Sequence, residues 1–484
     1  MSDFSFQQAF EWLSSAIASV VFYAIPINGA ALPVTVLWLV LGAVVFTCYL
    51  GFINIRGFRH AIRVVRGDYA DKTDKGDITQ FQALSAALSG TVGTGNIAGV
   101  AVAIALGGPG ATFWMIVAGF LGMTTKFVEC TLAVKYRQIL PDGTVAGGPM
   151  YYIKAALEKY GLPRLGKVLA GFFALACVFG SAGFVHVNQG FSQVKLVTGF
   201  DNAWVFGLVY SFLVGLVIVG GIQSIARVTS KLVPLMCAIY LSAAFVFLAM
   251  HFDAIPAAIW TILQSAFAPE AAYGGVIGVI IQGFRRAAYS NEAGIGSSPI
   301  AHAAAKTKDP VSQGFVGLLE PFIDTVVICT MTALVIIFYN MDGVFEYGLT
   351  DATGNVMIKA TGQSAGGVDL TTLAFDAVIP HFSYVLTVAI VLFAFSTMLS
   401  WSYYGLQAWK YLFGKSKISD LTYKVLFLLF IVVGAAATLD SVVKFSDAMI
   451  LAMVFPNMIG LVILSPKVKE EMNKYLKAIK ARFS

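Results

Sequence analysis

Apolar runs of roughly 20 residues recur along the whole of this chain, the length an α-helix needs to cross a hydrocarbon layer of about 30 Å. Inside such a layer every backbone N–H and C=O must find its partner within the protein, so only helices or a closed barrel can span it. The runs lack the alternation of a lipid-facing strand, which leaves helices. Of the 484 residues 58% are hydrophobic and 12% charged, and the mean hydropathy is +0.79. Soluble domains do not have such values, and the expectation is an all-α polytopic membrane protein.

Hydropathy predicts eleven spans, at 33–53, 81–106, 111–134, 168–192, 204–221, 232–250, 273–304, 312–339, 382–409, 421–438 and 447–465. Residues 8–27, interrupted by Pro26, read as an interfacial helix, with a twelfth span as the alternative. The opening "MSDFSFQQAFEWLSS" has no basic region ahead of an apolar core, so no removable signal peptide is expected. If the N-terminus lies outside, the inward loops (54–80, 135–167, 222–231, 305–311, 410–424) and the tail from 466 hold 26 of the 32 lysines and arginines. Lys195, Lys359 and Lys444 face outward, and Lys126, Arg285 and Arg286 fall inside spans. Cytoplasmic loops carry the basic excess, so the C-terminus is expected in the cytoplasm. One long outer segment, 340–381, ends in "LTTLAFDAVI", a short helix expected to cap an outer vestibule.

A sequence pI near 8.9 does not signal nucleic acid, because the basic residues are spread over loops rather than gathered in a patch. The five cysteines all lie in apolar segments without C-x-x-C spacing, which speaks against disulfides and zinc.

Two spans carry residues that a regular helix avoids. "GTVGTGNIAGVA" at 90–101 has four glycines, each costing about 1 kcal/mol against alanine in a helix interior. "AAYSNEAGIGSSPIAHAAA" at 287–305 gathers Ser290, Asn291, Glu292, Gly294, Gly296 and Pro299. Small residues also serve close helix packing, but two such clusters at matching places point to broken helices lining a cavity. Spans two to six and seven to eleven form two sets of five, each opening on a broken helix. Five crossings per set make the repeats inverted, the architecture of alternating-access carriers. The expected division is therefore 1–80 (interfacial segment, extra span and basic loop), 81–250 (first repeat), 251–465 (second repeat) and 466–484 (basic tail).

"GTVGTGNIAGVA", "GGPMYYI" at 147–153, "SNEAGIGSSPIAHAAA" at 290–305 and "STMLSWSYYG" at 396–405 resemble the alanine/glycine:cation symporters, sodium-coupled amino-acid transporters of bacteria and archaea. The resemblance covers nearly the whole chain. It implies the leucine-transporter fold, five plus five inverted helices with one extra N-terminal helix, in the plasma membrane of a prokaryote. "VGTGN" at 92–96 is also similar to a motif of the sodium-coupled neurotransmitter symporters, whose first core helix unwinds there.

A zwitterionic amino acid needs different walls for its carboxylate, its ammonium and its side chain. Exposed N–H groups around Thr94, Gly95 and Asn96 suit the carboxylate, and carbonyls of Tyr289 and Ser290 suit the ammonium. Asn291, Glu292 and Gly294 complete the second break, Glu292 bridging it first and serving ion coupling second. The resemblance adds His186 and Asn188 in "GSAGFVHVNQGF", where family members often have glutamine at the position of His186; a satisfied core histidine is the other reading. It also adds Trp401 as the aromatic wall of a pocket narrow enough for alanine or glycine, against plain packing.

Sodium prefers oxygens, and the fold implies hydroxyls of Ser396 and Thr397 facing carbonyls of Ser89 and Val92. Ser400, one turn away, is the alternative ligand, and any of these hydroxyls can instead bond back to its own helix. Arg285 or Arg286 is expected to pair with Glu320 or Asp324, and Lys126 with Glu129.

The expected activity is import of a small neutral amino acid with sodium as the coupling ion, by a monomer without an organic cofactor. A proton-coupled carrier or one preferring glutamine or serine is the alternative. A channel lacks support in a single inverted repeat, and neither H-E-x-x-H nor G-x-S-x-G is present for an enzyme.

Overall fold

The computed structural model describes residues 6–27, 30–71, 73–268, 275–351, 355–436 and 440–483. Residues 273 and 274 of the expected seventh span, and 437 and 438 of the tenth, lie outside them. The described chain is helical, with three two-stranded hairpins in its connections. Seven helices are long and apolar enough to cross a membrane, and an eighth span is the bent pair Gln80–Thr91 and Gly95–Gly107.

The seven long helices are Gly110–Lys135, Pro163–Gly180, Gly221–Met250, Pro310–Tyr339, Phe382–Phe413, Lys417–Ala436 and Phe445–Ile479, at the places of spans three, four, six and eight to eleven. At the first and fifth spans stand shorter apolar helices, Val34–Tyr49 and Ala203–Ile218. At the seventh stand Gly275–Asn291 and Pro299–His302, separated by an irregular stretch. The N-terminal helix Phe6–Val21 packs on Asp440–Ala452 and leads into a hairpin, Ala24–Ile27 paired with Ala30–Pro33.

Local chemistry accounts for where the broken spans begin and stop. Span two starts at a capping box, in which the Thr79 side chain accepts from the Gln82 N–H and the Gln82 side chain accepts from the Thr79 N–H. It loses α geometry at Val92, whose ψ of 103° is extended, and resumes as a π-helical turn at Gly95–Gly99. The two halves meet at a 56° bend. Span seven stops at Asn291, where Glu292 takes a left-handed φ of 55°. That is uncommon for a residue with a side chain and marks a turn that its surroundings hold in place.

Span four differs from the continuous 168–192 helix expected. It is two helices, Pro163–Gly180 and Phe184–Thr198, parted at Ser181–Gly183. Gly183 has φ 74°, which only glycine adopts without strain, so the local "GSAG" ends the first helix.

One end of the bundle is stitched together by backbone. The segment before span two runs beside the segment after span seven: Asp77 and Ile78 N–H donate to Ala304 O, and Lys306 N–H donates to Ile78 O. The Arg137 guanidinium donates to the carbonyls of Ala303, Ala305, Lys75 and Thr307. Burial pushes the nearby Asp77 carboxyl up, against the Val145 N–H bond that holds it down. At the opposite end the helix Gly367–Asp376, the place of "LTTLAFDAVI", packs over the π-helical turn of span two.

Candidate functional site

The two breaks meet. Asn96, in the π-helical turn of span two, faces Ser290, the penultimate residue of the first half of span seven, with its Nδ2 donating to Ser290 Oγ at 3.0 Å. Its Oδ1 accepts the Gly93 N–H at 2.9 Å, so the amide also holds the unwound loop in shape. In an unbroken helix that N–H would bond the Ser89 carbonyl; its diversion leaves Ser89 O out of the helical ladder.

Between the breaks stands Asp324, in a π-helical stretch, Phe322–Cys329, that follows Pro321 in span eight. Its Oδ1 accepts from Asn96 Nδ2 at 2.6 Å, and its Oδ2 from Ser290 Oγ at 2.7 Å and Thr325 Oγ1 at 2.8 Å. Asn291 extends the network by donating to Thr325 Oγ1 at 3.0 Å. Asn96 and Asp324 have no solvent-exposed surface and Ser290 has 1%. A carboxylate in a span is expensive unless it serves a site, and here three donors from three elements converge on it. Sequence reasoning treated Asp324 only as an ion-pair partner; an acid next to Pro321 in mid-span was the signal available.

The other residues expected to hold substrate lie on the two broken spans, on span four and on span nine. Thr94 and Gly95 open the resumed half of span two, where the Asn96 N–H donates to Gly93 O at 3.1 Å. The Arg286 guanidinium lies against this turn: a Cβ on Gly95 would come within 2.9 Å of it, and one on Gly99 within 1.6 Å. Thr94 Oγ1 donates to Gln189 Oε1, which joins span four to the first break. Asn188, one residue earlier and about 100° around the helix, instead donates to Gly434 O at 3.4 Å. His186 stands in the first turn after the Gly183 break, with Nδ1 lacking a hydrogen-bond partner among the described residues.

Glu292 accepts from the Ser297 hydroxyl, spanning the second break, and Gly294 lends its carbonyl to Asn457 Nδ2 at 2.8 Å. Trp401 is 2% exposed, packs edge-on against Tyr404 and donates to Gly90 O at 3.3 Å, so it braces the last turn before the first break.

Where sodium is expected, spans two and nine are fastened to each other. Ser89 Oγ donates to Ser396 O at 2.5 Å, and Ser400 Oγ to Ala86 O at 2.6 Å, which fastens span nine to span two. Ser396 Oγ bonds back to Phe393 O at 2.9 Å. Thr397 Oγ1 is buried with no hydrogen-bond partner among the described residues, and it would lie 3.0 Å from a Cβ on Gly93, next to Val92.

The expected ion pairs do not form. Glu320 binds Lys126 at 3.0 Å, while Glu129, one turn along the same helix, accepts from Asn457 Nδ2 at 2.7 Å. Lys126 reaches across to span eight because that carboxylate faces it, whereas Glu129 is turned toward the last span. Among the described residues neither Arg285 nor Arg286 makes an ion pair. With Gly99, Gln282, Tyr289 and Asp447 they line a cavity of about 430 Å³ on the far side of the breaks from the stitched end. A second cavity, about 250 Å³, opens at the stitched end among Asp77, Tyr403, Gln407, Lys410, Asp420 and Lys424.

Comparison with known proteins decides the class. The model of the family described as "Sodium:alanine symporter family" matches residues 18–484. The chain belongs to the sodium:alanine symporter family. Membership makes it a cation-coupled amino-acid symporter of a multi-pass membrane type. Family relatives include the sodium/alanine symporter AgcS of Methanococcus maripaludis, 42% identical over 90% of this chain and 93% of that one. The probable sodium/glutamine symporter GlnT of Bacillus subtilis is 34% identical over 90% and 86%. The crystal structure of the Eremococcus coleocola manganese transporter shares the fold, with a TM-score of 0.50 and 13% identity over 80% of each chain. That likeness is of architecture alone, and the architecture is the leucine-transporter fold.

Proposed function

We propose that the protein imports a small neutral amino acid, alanine or glycine, together with sodium by alternating access. The observation that carries this reading is the buried junction of two broken spans, placed between a cavity at either end of the bundle. In this reading 81–250 and 251–465 are the inverted repeats, 1–80 and 466–484 flank them, and the stitched, basic end faces the cytoplasm with the N-terminus outside.

The substrate carboxylate meets the N–H groups of Thr94 and Gly95, and that of Asn96 once it leaves Gly93 O, with the Arg286 guanidinium beside them. Its ammonium meets the carbonyls of Tyr289 and Ser290 and the Asp324 carboxylate, while Asn291, Glu292 and Gly294 hold the second break in register. Trp401 and His186 border the space left for a side chain, and a rigid wall there rejects extra methylenes. Asn188, bonded to span ten, acts by positioning its helix. Sodium is held by carbonyls of Ser89 and Val92 with Thr397 Oγ1; Ser396 contributes through its own carbonyl contact to Ser89. Sodium that orders the loop at 89–93 pre-arranges the turn at 94–96, so each ligand raises the affinity for the other.

Uptake of labelled alanine, glycine and glutamine into proteoliposomes, with and without a sodium gradient, tests the reading. Sodium-dependent accumulation of alanine or glycine above glutamine is expected. Accumulation driven by a pH gradient without sodium, or preference for glutamine, contradicts it.

A further inference from the structure

A second buried polar cluster lies away from the substrate junction, toward the stitched end. Lys126, Glu129, His302, Glu320 and Asn457 have no exposed surface, and Glu292 has 7%. Lys126 is the one fixed cation among them and faces Glu320, Glu129 and Glu292. Its direct partners are Glu320, at 3.0 Å, and the Ser298 hydroxyl. Glu320 also has His302 Nε2 at 3.5 Å, and the other ring nitrogen of His302 is 2.6 Å from Gln313 Nε2.

Glu129 is left with neutral partners. Its Oε1 accepts from Asn457 Nδ2 at 2.7 Å, the Gly294 N–H of the second break also faces the carboxyl, and its Oε2 has no hydrogen-bond partner among the described residues. The same Asn457 amide donates to Gly294 O in the second break, and its Oδ1 accepts from Tyr152 at 2.5 Å. The other titratable groups facing the cluster are Cys130 on the same helix, Tyr404 on span nine and Cys177 on span four. All are neutral acids, so none supplies a second positive charge.

An ionised oxygen with no donor, in a site closed to water, is far more costly than a neutral hydroxyl in the same place. A metal cation is a poor way to neutralise it, because the amide that touches Glu129 presents N–H rather than oxygen. Among the described residues no three histidine, cysteine or acidic side chains are grouped to hold a metal.

We propose that Glu129 is a proton-binding site: its carboxylate takes a proton from cytoplasmic water to form an O–H on Oε2, and returns it to that water when the stitched end opens. The site is tied to the transport cycle through Asn457, which holds Glu129 and the Gly294 carbonyl of the second break with one amide. A proton bound only in the closed geometry favours that geometry by linkage. Acid on the cytoplasmic side therefore retards opening, and alkali promotes it.

Infrared spectra of the full-length protein in lipid, without substrate, read the proton directly. The carbonyl stretch of a neutral buried carboxyl is expected in the wild type, lost in Glu129→Gln, and kept in Glu292→Gln and His302→Gln. Absence of that band from the wild type, or its loss in Glu292→Gln with retention in Glu129→Gln, overturns the proposal. In proteoliposomes with a fixed sodium gradient and clamped potential, acid on the side of the basic end should slow alanine uptake by the wild type and leave Glu129→Gln unaffected. A wild-type pH profile in Glu129→Gln, or its loss in His302→Gln instead, overturns it as well. Should no alanine uptake occur at all, the transport reading fails while the infrared result still decides the proton.

Discussion

Asn96 orders the site with one amide: its oxygen shapes the unwound loop through Gly93, and its nitrogen reaches Asp324 and Ser290. Removing the acceptor at the centre should be costly, since a buried donor left without its partner loses about 1 to 3 kcal/mol. Asp324→Asn is expected to cut uptake roughly tenfold to a hundredfold in protein that still reaches the membrane; wild-type rates would remove Asp324 from the site. Thr397→Ala is expected to raise the sodium concentration for half-maximal uptake roughly tenfold, the equivalent of about 1.4 kcal/mol. An unchanged sodium dependence rejects Thr397 as a ligand. Asn96 was legible because asparagine among glycines in a span has little other use. Asp324 was not legible as its partner, since the two are 228 positions apart and only the fold brings them together. The same distance effect turned Lys126 to Glu320 instead of Glu129. The choice of Gln189 over Asn188 turns on one step of helix rotation, finer than a motif can specify.

Broken helices are the elements that position this chemistry, and their legibility followed the strength of the local signal. Glycine runs at 90–99 and 294–296 with Pro299 announced two breaks. The third, at Ser181–Gly183, had only "GSAG" and was read through as one span; its effect is to set the direction from which Gln189 reaches Thr94. At the stitched end the approach segments of spans two and seven are tied by backbone bonds and by Arg137, which grips four carbonyls. Opening there must break these bonds or move both segments as one body. Arg137→Ala should loosen them: a cysteine placed by Ala304→Cys is expected to react with a water-soluble thiol reagent at least about tenfold faster, as losing 1.4 kcal/mol implies. Equal labelling rates with and without Arg137 would show that the guanidinium does not hold this end shut.

On the scale of the whole molecule, hydropathy located the apolar helices at the expected spans but not their lengths, and it gave no sign of the connecting helices Pro149–Glu158 and Ile255–Phe267. Spans one and five are shorter and spans four and seven interrupted, because packing and the breaks at 181–183 and 292–298 decide where a helix ends. That two spans are broken was readable from their glycine, serine and proline clusters, and the two breaks meet at Asn96 and Ser290. The central claim is that cargo and cation are gripped together at this meeting point. Its most direct test is a structure of the protein with alanine and sodium bound. The account predicts alanine with its carboxylate at the N–H groups of Thr94 to Asn96, its ammonium at Ser290 and Asp324, and sodium beside Thr397. Alanine resting in the cavity beside Arg285 and Asp447, with the Asn96–Asp324 contact undisturbed, would contradict it.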